Sequence, residues 1–509
     1  MKFNVLPDMI SENAAAYPDK ACIFFKDRTY TYAQVEQKIS STAAALKENG
    51  VQRGDRTLIL LENSPEFTFA YLGVMKLGAI AVPSNVFLKD REIAMNMNDC
   101  NAEYMITSET FAPKLTHIFE LALDLKKIFS YDKVSFDAVI IEDRQTTFPA
   151  VDMATEDVAL VLYTSGTTGR PKGASLEHRN VIANAVAVAN FLGFSHDDRM
   201  LLFLPMFHAT SMLASMLAPL VVGASVIILE SILEVSRSYY PEMLAKLKPT
   251  LTVGVPALFA TLTRAKVTPE TKDNVFPFRL ALCGGAPLPV EIIERFRDMY
   301  GKMILEGYGL SEASPVLSVN PTVKQKAGTI GLPLPGVEIK IVDENDNELP
   351  LNTPGELIAR GPNIMRGYWN QPEESEKALK NGWLHTGDIA TQDEEGYFTI
   401  IDRLKDLILV KGMNVYPREI EELLYKFNGV LTAAVVGIPD GEGSEIPIAY
   451  VKVNPEAAVT VEALKEYIRY NIASFKTPRR FVITDDIPMN AGGKVLKKEL
   501  RERAKKEFA

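Results

Sequence analysis

Between Tyr163 and Gly173 the chain reads Tyr-Thr-Ser-Gly-Thr-Thr-Gly-Arg-Pro-Lys-Gly, with three glycines, four aliphatic hydroxyls and a lysine in eleven residues. Those types suit phosphate. Gly166 and Gly169 let backbone amides approach phosphate oxygens. Thr164, Ser165, Thr167 and Thr168 add donors, and Lys172 offsets anionic charge. The order is not that of a Walker loop, which needs Gly-x-x-x-x-Gly-Lys-Ser/Thr. Here Pro171 precedes the lysine and Gly173 follows it. A plain surface turn is the alternative, and ordinary turn composition does not favour it.

The elements that must hold such a loop follow from periodicity. Val158 to Tyr163 predicts a strand and Asn180 to Phe191 a helix. Leu251 to Val255 predicts a strand leading to a helix near Pro256. Phe278 to Cys283 predicts a strand, a Gly284-Gly285 turn, and a helix from Pro289 to Tyr300. This alternation implies an α/β fold with largely parallel sheets. From about Thr329 the texture changes to short strands between turns: Val337 to Val342, Gly355 to Arg360 and Tyr397 to Ile401. They predict a small β-rich subdomain. The last hundred residues predict a separate α+β unit, with helices at Arg418 to Phe427 and Val461 to Ile472 and strands at Ala433 to Gly437 and Ile448 to Val453. The join lies near Asp402 to Asp406. With no low-complexity linker, it reads as a short hinge.

Composition bounds the function. The 509 residues are 47% hydrophobic and 24% charged, an ordinary globular balance. A net charge of −10 argues against a nucleic-acid binder, which needs a basic face. Cys22, Cys100 and Cys283 have neither disulfide nor metal-ligand spacing, which fits a reducing cytoplasm. The first residues lack a basic region followed by an apolar run, so no signal peptide is expected. The last five are not a peroxisomal or retention signal. From Leu201 to Leu229 the only ionisable side chain is His208, long enough to raise a membrane span. Pro205, Pro219 and Gly223 interrupt it, so a buried loop, a buried helix and a buried strand (Ala224 to Leu229) are expected instead.

Further motifs follow in order: Gly307-Tyr-Gly-Leu-Ser-Glu312, His385-Thr-Gly-Asp388, Asp402-Arg-Leu-Lys-Asp-Leu-Ile408, Lys411-Gly-Met-Asn-Val-Tyr-Pro417 and Asn490-Ala-Gly-Gly-Lys494. With the Tyr163 loop they resemble the signatures of the adenylate-forming superfamily, which includes acyl-CoA synthetases, luciferase and peptide-synthetase adenylation domains. The resemblance runs from about residue 10 to 500, and Glu306 to Pro315 is most similar to bacterial fatty acyl-CoA synthetases. It implies a large N-terminal domain, 1–401, of two α/β sheet subdomains plus a small β-rich subdomain. A small mobile α+β C-terminal domain, 402–509, would follow, hinged at Asp402.

The resemblance also implies ATP, Mg²⁺ and coenzyme A, and it assigns residues. Ser311 would contact the α-phosphate. Glu312 would bind Mg²⁺ with Thr164, as a hard oxygen ligand suits that ion. Lys494 would bridge the carboxylate and α-phosphate; Lys497 and Lys498 read as solvated. Tyr308 would lie against the adenine, with Gly284, Gly285 and Ala286 on its other face. Asp388 would accept from both ribose hydroxyls, and Arg403 would reach ribose and phosphate. Glu306, Gly307, Gly309, Ile400, Lys411 and Gly412 complete the nucleotide and pantetheine set. Read alone, Glu312 would be a helix-start carboxylate, Tyr308 a core tyrosine, Asp388 a turn residue and Arg403 part of a solvated cluster.

The implied acid pocket comprises His208, Met212, Val253, Gly284, Gly309, Leu310, Val316 and Leu332. His208 is read either as a guard of the carboxylate end or as a neutral core imidazole. The stretch just after Phe207, His208 to Ala218, has no acidic residue, so a substrate ammonium would lack a partner. Amino acids are therefore disfavoured, and the apolar lining with the Glu306-to-Pro315 resemblance implies a fatty acid first and an aryl acid second. Pantetheine could come from coenzyme A or a carrier protein, and a homodimer is left open. A non-catalytic acyl-nucleotide sensor would be expected to lack Glu312 or Lys494, and both are present. A luciferase-like oxygenase would differ only in its pocket.

Overall fold

A computed structural model of the chain describes residues 3–148, 151–164, 171–231, 240–263, 276–440, 444–489 and 495–508. Apolar runs become strands buried on both faces, as at Leu251–Gly254 and Leu280–Cys283, and this is what parallel packing under helices requires. Among the described residues a nine-stranded sheet runs in the order Leu332–Pro333, Val316–Val319, Ile304–Gly309, Leu280–Cys283, Leu251–Gly254, Arg199–Leu202, Ser225–Ile228, Ala21–Phe25 and Arg28–Thr31. Its centre is parallel and both ends turn antiparallel. Helix Val290–Tyr300 covers it with Ile293, Phe296 and Tyr300, spaced three and four apart on one face. A buried carboxylate, Asp198, binds Arg279 through both oxygens, at 2.8 and 2.6 Å, and accepts from Thr250. That triad ties the amino ends of three neighbouring strands.

A second sheet of eight strands carries Val158–Thr164 beside Ile80–Pro83, with parallel pairing from there through Arg56–Leu60 and Tyr104–Thr107. After the Gly-rich loop the chain does not pass into a helix at once. It returns as an antiparallel strand, Lys172–Glu177, in register Thr164 with Lys172. Lys172 is therefore strand-anchored. The expected β-rich subdomain is an antiparallel sheet of Glu338–Val342, Gly355–Arg360, Leu384–Gln392 and Phe398–Arg403. The C-terminal unit has a three-stranded sheet, Val430–Pro439, Glu445–Val453 and Arg480–Ile483, with helices Pro417–Lys426, Val461–Asn471 and Lys497–Phe508. The architecture is thus mixed α/β, with a large multi-sheet N-terminal part and a small C-terminal domain.

Two expectations change in detail. The buried helix after His208 is a π-helix, Thr210–Leu217, continuing as a short α-turn, Ala218–Val221. Pro219 has no amide to give the ordinary i−4 bond, and π turns often mark sites. Among the described residues no helix is long and apolar enough to cross a membrane. Lys497 is not solvated. Its ammonium meets Glu421 at 2.8 Å with the side chain 18% exposed. The reason is helical phase: Lys497, Leu500 and Ala504 share a face, and the latter two are buried.

Backbone approach is closest where the Gly307-to-Pro315 motif folds back on itself. A Cβ on Gly309 would lie 1.9 Å from the Pro315 carbonyl oxygen, which accepts the Leu310 amide. Gly309→Ala should therefore cost about 2 kcal/mol or more by backbone displacement. Urea unfolding checks this, with Gly284→Ala expected near wild type because its Cβ would meet nothing closer than 3.5 Å.

Candidate active site

The site collects at the carboxyl ends of the parallel strands. Strand Ile304–Gly309 carries Tyr308 next to its last residue, and the Tyr308 phenol donates to Asp388 Oδ2 at 2.6 Å. Asp388 lies on Leu384–Gln392, directly across from Arg403. Gly387, at φ 68°, turns the strand so that the Asp388 amide reaches Thr386 Oγ1. The Arg403 Nε sits 3.2 Å from Asp388 Oδ1. Burial, with the Asp388 carboxylate, pushes the Tyr308 phenol well up, so it stays a donor. His385 in the same motif belongs to the sheet, paired through Nδ1 with Glu356 at 2.8 Å.

Four residues after Tyr308, Glu312 sits in the 3₁₀ turn Ser311–Ala313, which also places half-buried Ser311. The Met365 amide holds the Glu312 carbonyl at 2.8 Å, and Asn363 holds that of Ala313. Glu312 Oε1 accepts the Tyr368 phenol at 2.8 Å. Its Oε2 makes no hydrogen bond among the described residues. Those residues hold no cluster of three or more His, Cys, Asp or Glu. A lone carboxylate oxygen fits Mg²⁺, which keeps waters and substrate phosphates as its other ligands. Thr164 Oγ1 donates to the Lys172 carbonyl at 3.4 Å. Lys172 pairs with Glu374 at 2.5 Å and lies over the Tyr368 ring, 5.1 Å from its centroid. Its ammonium pulls the Glu374 carboxyl down to about 2. Ser165, Gly166, Thr167, Thr168, Gly169 and Lys494 lie outside the described residues.

Glu306, two residues before Tyr308 in the same strand, is buried. Oε1 accepts the Leu288 amide at 3.3 Å, while Oε2 has no hydrogen-bond partner among the described residues. Burial pushes its carboxyl up to about 7, against the pull of the Arg418 guanidinium and the Leu288 amide. Arg418 comes from the C-terminal unit and donates to the Ile400 carbonyl at 2.8 Å. The Ile400 oxygen is thus taken by protein. Asp402 accepts the amides of Arg403 and Arg418. Lys411, at φ 50°, and Gly412, at φ 78°, make the exposed turn of a two-stranded ribbon. Gly285, at φ 82°, turns the chain after Cys283, with Ala286 following, and Gly284 faces the Gly307 carbonyl.

Among the pocket residues, Met212 and Val253 are buried, Leu310 and Val316 are half-buried, and Gly309 borders them at the strand end. Leu332 lies one strand further out, paired with Val319 and near Gly396. His208 is exposed, so it is not a core imidazole; its Nδ1 accepts the Thr210 amide at 3.3 Å. Four residues absent from the sequence assignments belong to the site's surroundings: Tyr368, Glu374, Asn363 and Phe87. Phe87 is 65% exposed and meets Phe207 edge to face at 6.2 Å. An exposed aromatic on a small-residue turn, Pro83-Ser-Asn-Val-Phe87, was the available signal for it.

Residues 10–369 match the AMP-binding enzyme family and residues 419–494 match the AMP-binding enzyme C-terminal domain. The long-chain-fatty-acid–CoA ligase of Escherichia coli O6:H1 is 32% identical over 99% of this chain and 95% of its own. The feruloyl-CoA synthase of an Amycolatopsis species is 32% identical over 93% and 94%. The ATP-bound structure of MatB from Rhodopseudomonas palustris superposes with a TM-score of 0.89, at 27% identity, covering 100% of both chains. The apo form of that protein gives 0.77.

The raised Glu306 carboxyl makes a stability prediction. An acid whose folded pKa lies above its unfolded value binds more protons folded, so stability falls as pH rises through the window between them. Here that window runs from about 4.5 to about 7. Thermal unfolding across it should show the wild type losing ground to Glu306→Gln as pH rises. A constant difference between the two would contradict the burial of an ionising group.

Proposed function

The chain belongs to the AMP-binding enzyme family as an AMP-forming acid–CoA ligase, and from this we propose that its acid is a medium- or long-chain fatty acid. An acid carboxylate oxygen attacks the α-phosphorus of ATP, and pyrophosphate leaves. The coenzyme A thiolate then attacks the acyl carbon, and AMP leaves. The first step brings two anions together, so the site must neutralise and align them. The observation that carries the nucleotide reading is the Tyr308–Asp388–Arg403 contact, which sets an aromatic face, a diol-accepting carboxylate and a cation side by side. On this reading Ser311 and Arg403 take phosphate oxygens, and Glu312 with Thr164 holds Mg²⁺, which supplies charge neutralisation at the phosphates. Gly284, Gly285, Ala286, Gly307 and Gly309 leave room for base and acid.

Phe87 on Phe207 supports the acid class. It is an apolar surface beside His208, with no acidic side chain from there to Leu229. An aryl acid is the second reading, favoured by the equal identity to the feruloyl-CoA synthase. Coenzyme A is the acceptor, and a carrier-protein pantetheine is the alternative for the Lys411–Pro417 segment.

We also infer a boundary at residues 401 and 402, with the C-terminal domain swinging about Asp402 to bring Lys494 and then the Lys411 segment to one site. The higher similarity to ATP-bound than to apo MatB supports assigning the described arrangement to a nucleotide-bound pose.

Two measurements test the proposal. A panel of acids assayed for pyrophosphate release should give turnover with aliphatic chains, weaker turnover with aryl acids, and little with free amino acids. Strong amino-acid-dependent release would sink the apolar assignment. Separate assays of the half-reactions should find Glu312→Ala reduced roughly 10²- to 10³-fold in adenylation, yet competent to convert a supplied acyl-adenylate. Asp402→Pro should keep adenylation and lose thioester formation. Equal damage to both halves in both folded variants would refute the division of labour.

A further inference from the structure

We propose that Tyr368 is a positioning residue for adenylation, holding the Glu312 carboxylate by its phenol and the Lys172 ammonium by its ring. This rests on reading Glu312 as the Mg²⁺ carboxylate. The side chain spans two charges of opposite sign that come from separate sheets. Glu312 follows the nine-stranded sheet, and Lys172 begins a strand of the eight-stranded one. The phenol-to-Glu312 distance is 2.8 Å, and the ammonium lies 5.1 Å from the ring centroid.

The Tyr368 backbone is itself held from two sides. Its amide donates to Ser375 Oγ at 2.8 Å. Its backbone pairs with Ala174, two residues past Lys172. Nearby, the Met365 amide holds the Glu312 carbonyl at 2.8 Å, and Glu374, in the helix that follows, grips Lys172. These anchors fix the ring before any ligand arrives. A phenol on Oε1 sets the plane of the carboxylate and commits one oxygen, so the other is aimed as a single ligand for a hard cation. The ring face, in turn, keeps the ammonium near the end of the Gly-rich loop by cation–π attraction without using any of its protons, one of which Glu374 takes.

The two contributions separate by substitution. Tyr368→Phe keeps the ring and loses the phenol; Tyr368→Leu loses both. Mn²⁺ binding to the enzyme with a non-hydrolysable ATP analogue, followed by the electron paramagnetic resonance of free Mn²⁺, reads the carboxylate without turnover. A hydrogen bond to a charged group at this position should be worth about tenfold in affinity. Tyr368→Phe is therefore expected to weaken Mn²⁺ by that factor and to raise the half-saturating Mg²⁺ for adenylation in parallel. Conversion of supplied acyl-adenylate should stay at the wild-type rate, which also reports an intact fold. Tyr368→Leu should in addition raise KM for ATP. Glu312→Ala serves as the reference. If it abolishes Mn²⁺ binding while Tyr368→Phe stays within twofold of wild type, the positioning role is wrong and the metal reading stands. If Glu312→Ala leaves Mn²⁺ affinity unchanged, the metal reading itself fails and takes this inference with it.

Discussion

Asp388 is only 6% exposed, so its charge has to be answered inside the protein. Tyr308 answers it from the end of one sheet, and Arg403 from the far strand of another, where the chain leaves for the C-terminal unit. Leaving such a carboxylate unpaired costs about 3–5 kcal/mol. The three segments are thereby held in one relation, although they are 15 to 95 residues apart in sequence. The rest of the site hangs from that relation. Glu312 follows Tyr308 by four residues, and the Gly309-to-Pro315 contact leaves the intervening loop little freedom.

Around this knot the charges are arranged in pairs that a nucleotide would have to reorganise. Lys172 is occupied by Glu374, and one oxygen of Glu312 is occupied by Tyr368. Glu374 would have to release Lys172 when phosphate charge arrives, whereas Tyr368 already fixes one Glu312 oxygen and leaves that carboxylate less to rearrange. The contact between the two domains is polar as well. Arg418 lies between the Ile400 carbonyl, Glu422 and the buried Glu306, while Lys497 answers Glu421 close to Asp402. Burial lowers the Lys497 pKa, and the carboxylates of Glu421 and Asp402 outweigh it, so the ammonium persists. A polar, hydrogen-bonded seam is compatible with the proposed swing about Asp402, whereas a large apolar one would hold a single pose.

The sequence was most legible where chemistry dictates type and spacing together. The flanks of the Gly-rich motif, Thr164 and Lys172, and the Gly307-to-Glu312 run fall at strand ends, and the His385-to-Asp388 run sets Asp388 within a strand against Tyr308. Strand and helix periods were legible for the same reason, since Leu251–Gly254 and Val290–Tyr300 carry burial in their composition. Partners distant in sequence were not. Nothing local in Glu374 marks it as the partner of Lys172, 202 residues away. Tyr368 resembles any tyrosine after glycine until its phenol is seen on Glu312, 56 residues back. Lys497 and Lys498 look alike in composition, and only helical phase separates the paired one from the solvated one. The spacing to Leu500 and Ala504 held that information.

Adenylation makes a bond between an acid oxygen and the α-phosphorus of ATP. Isotope transfer reads that bond directly. A straight-chain fatty acid labelled with ¹⁸O in both carboxylate positions is incubated with ATP, Mg²⁺ and coenzyme A, and the products are weighed by mass spectrometry. When the thiolate displaces AMP from the acyl carbon, the bridging oxygen leaves with the phosphate. The account predicts one ¹⁸O in each AMP formed, one retained in the acyl-CoA carbonyl, and none in pyrophosphate. Unlabelled AMP, or label appearing in inorganic phosphate, would contradict it.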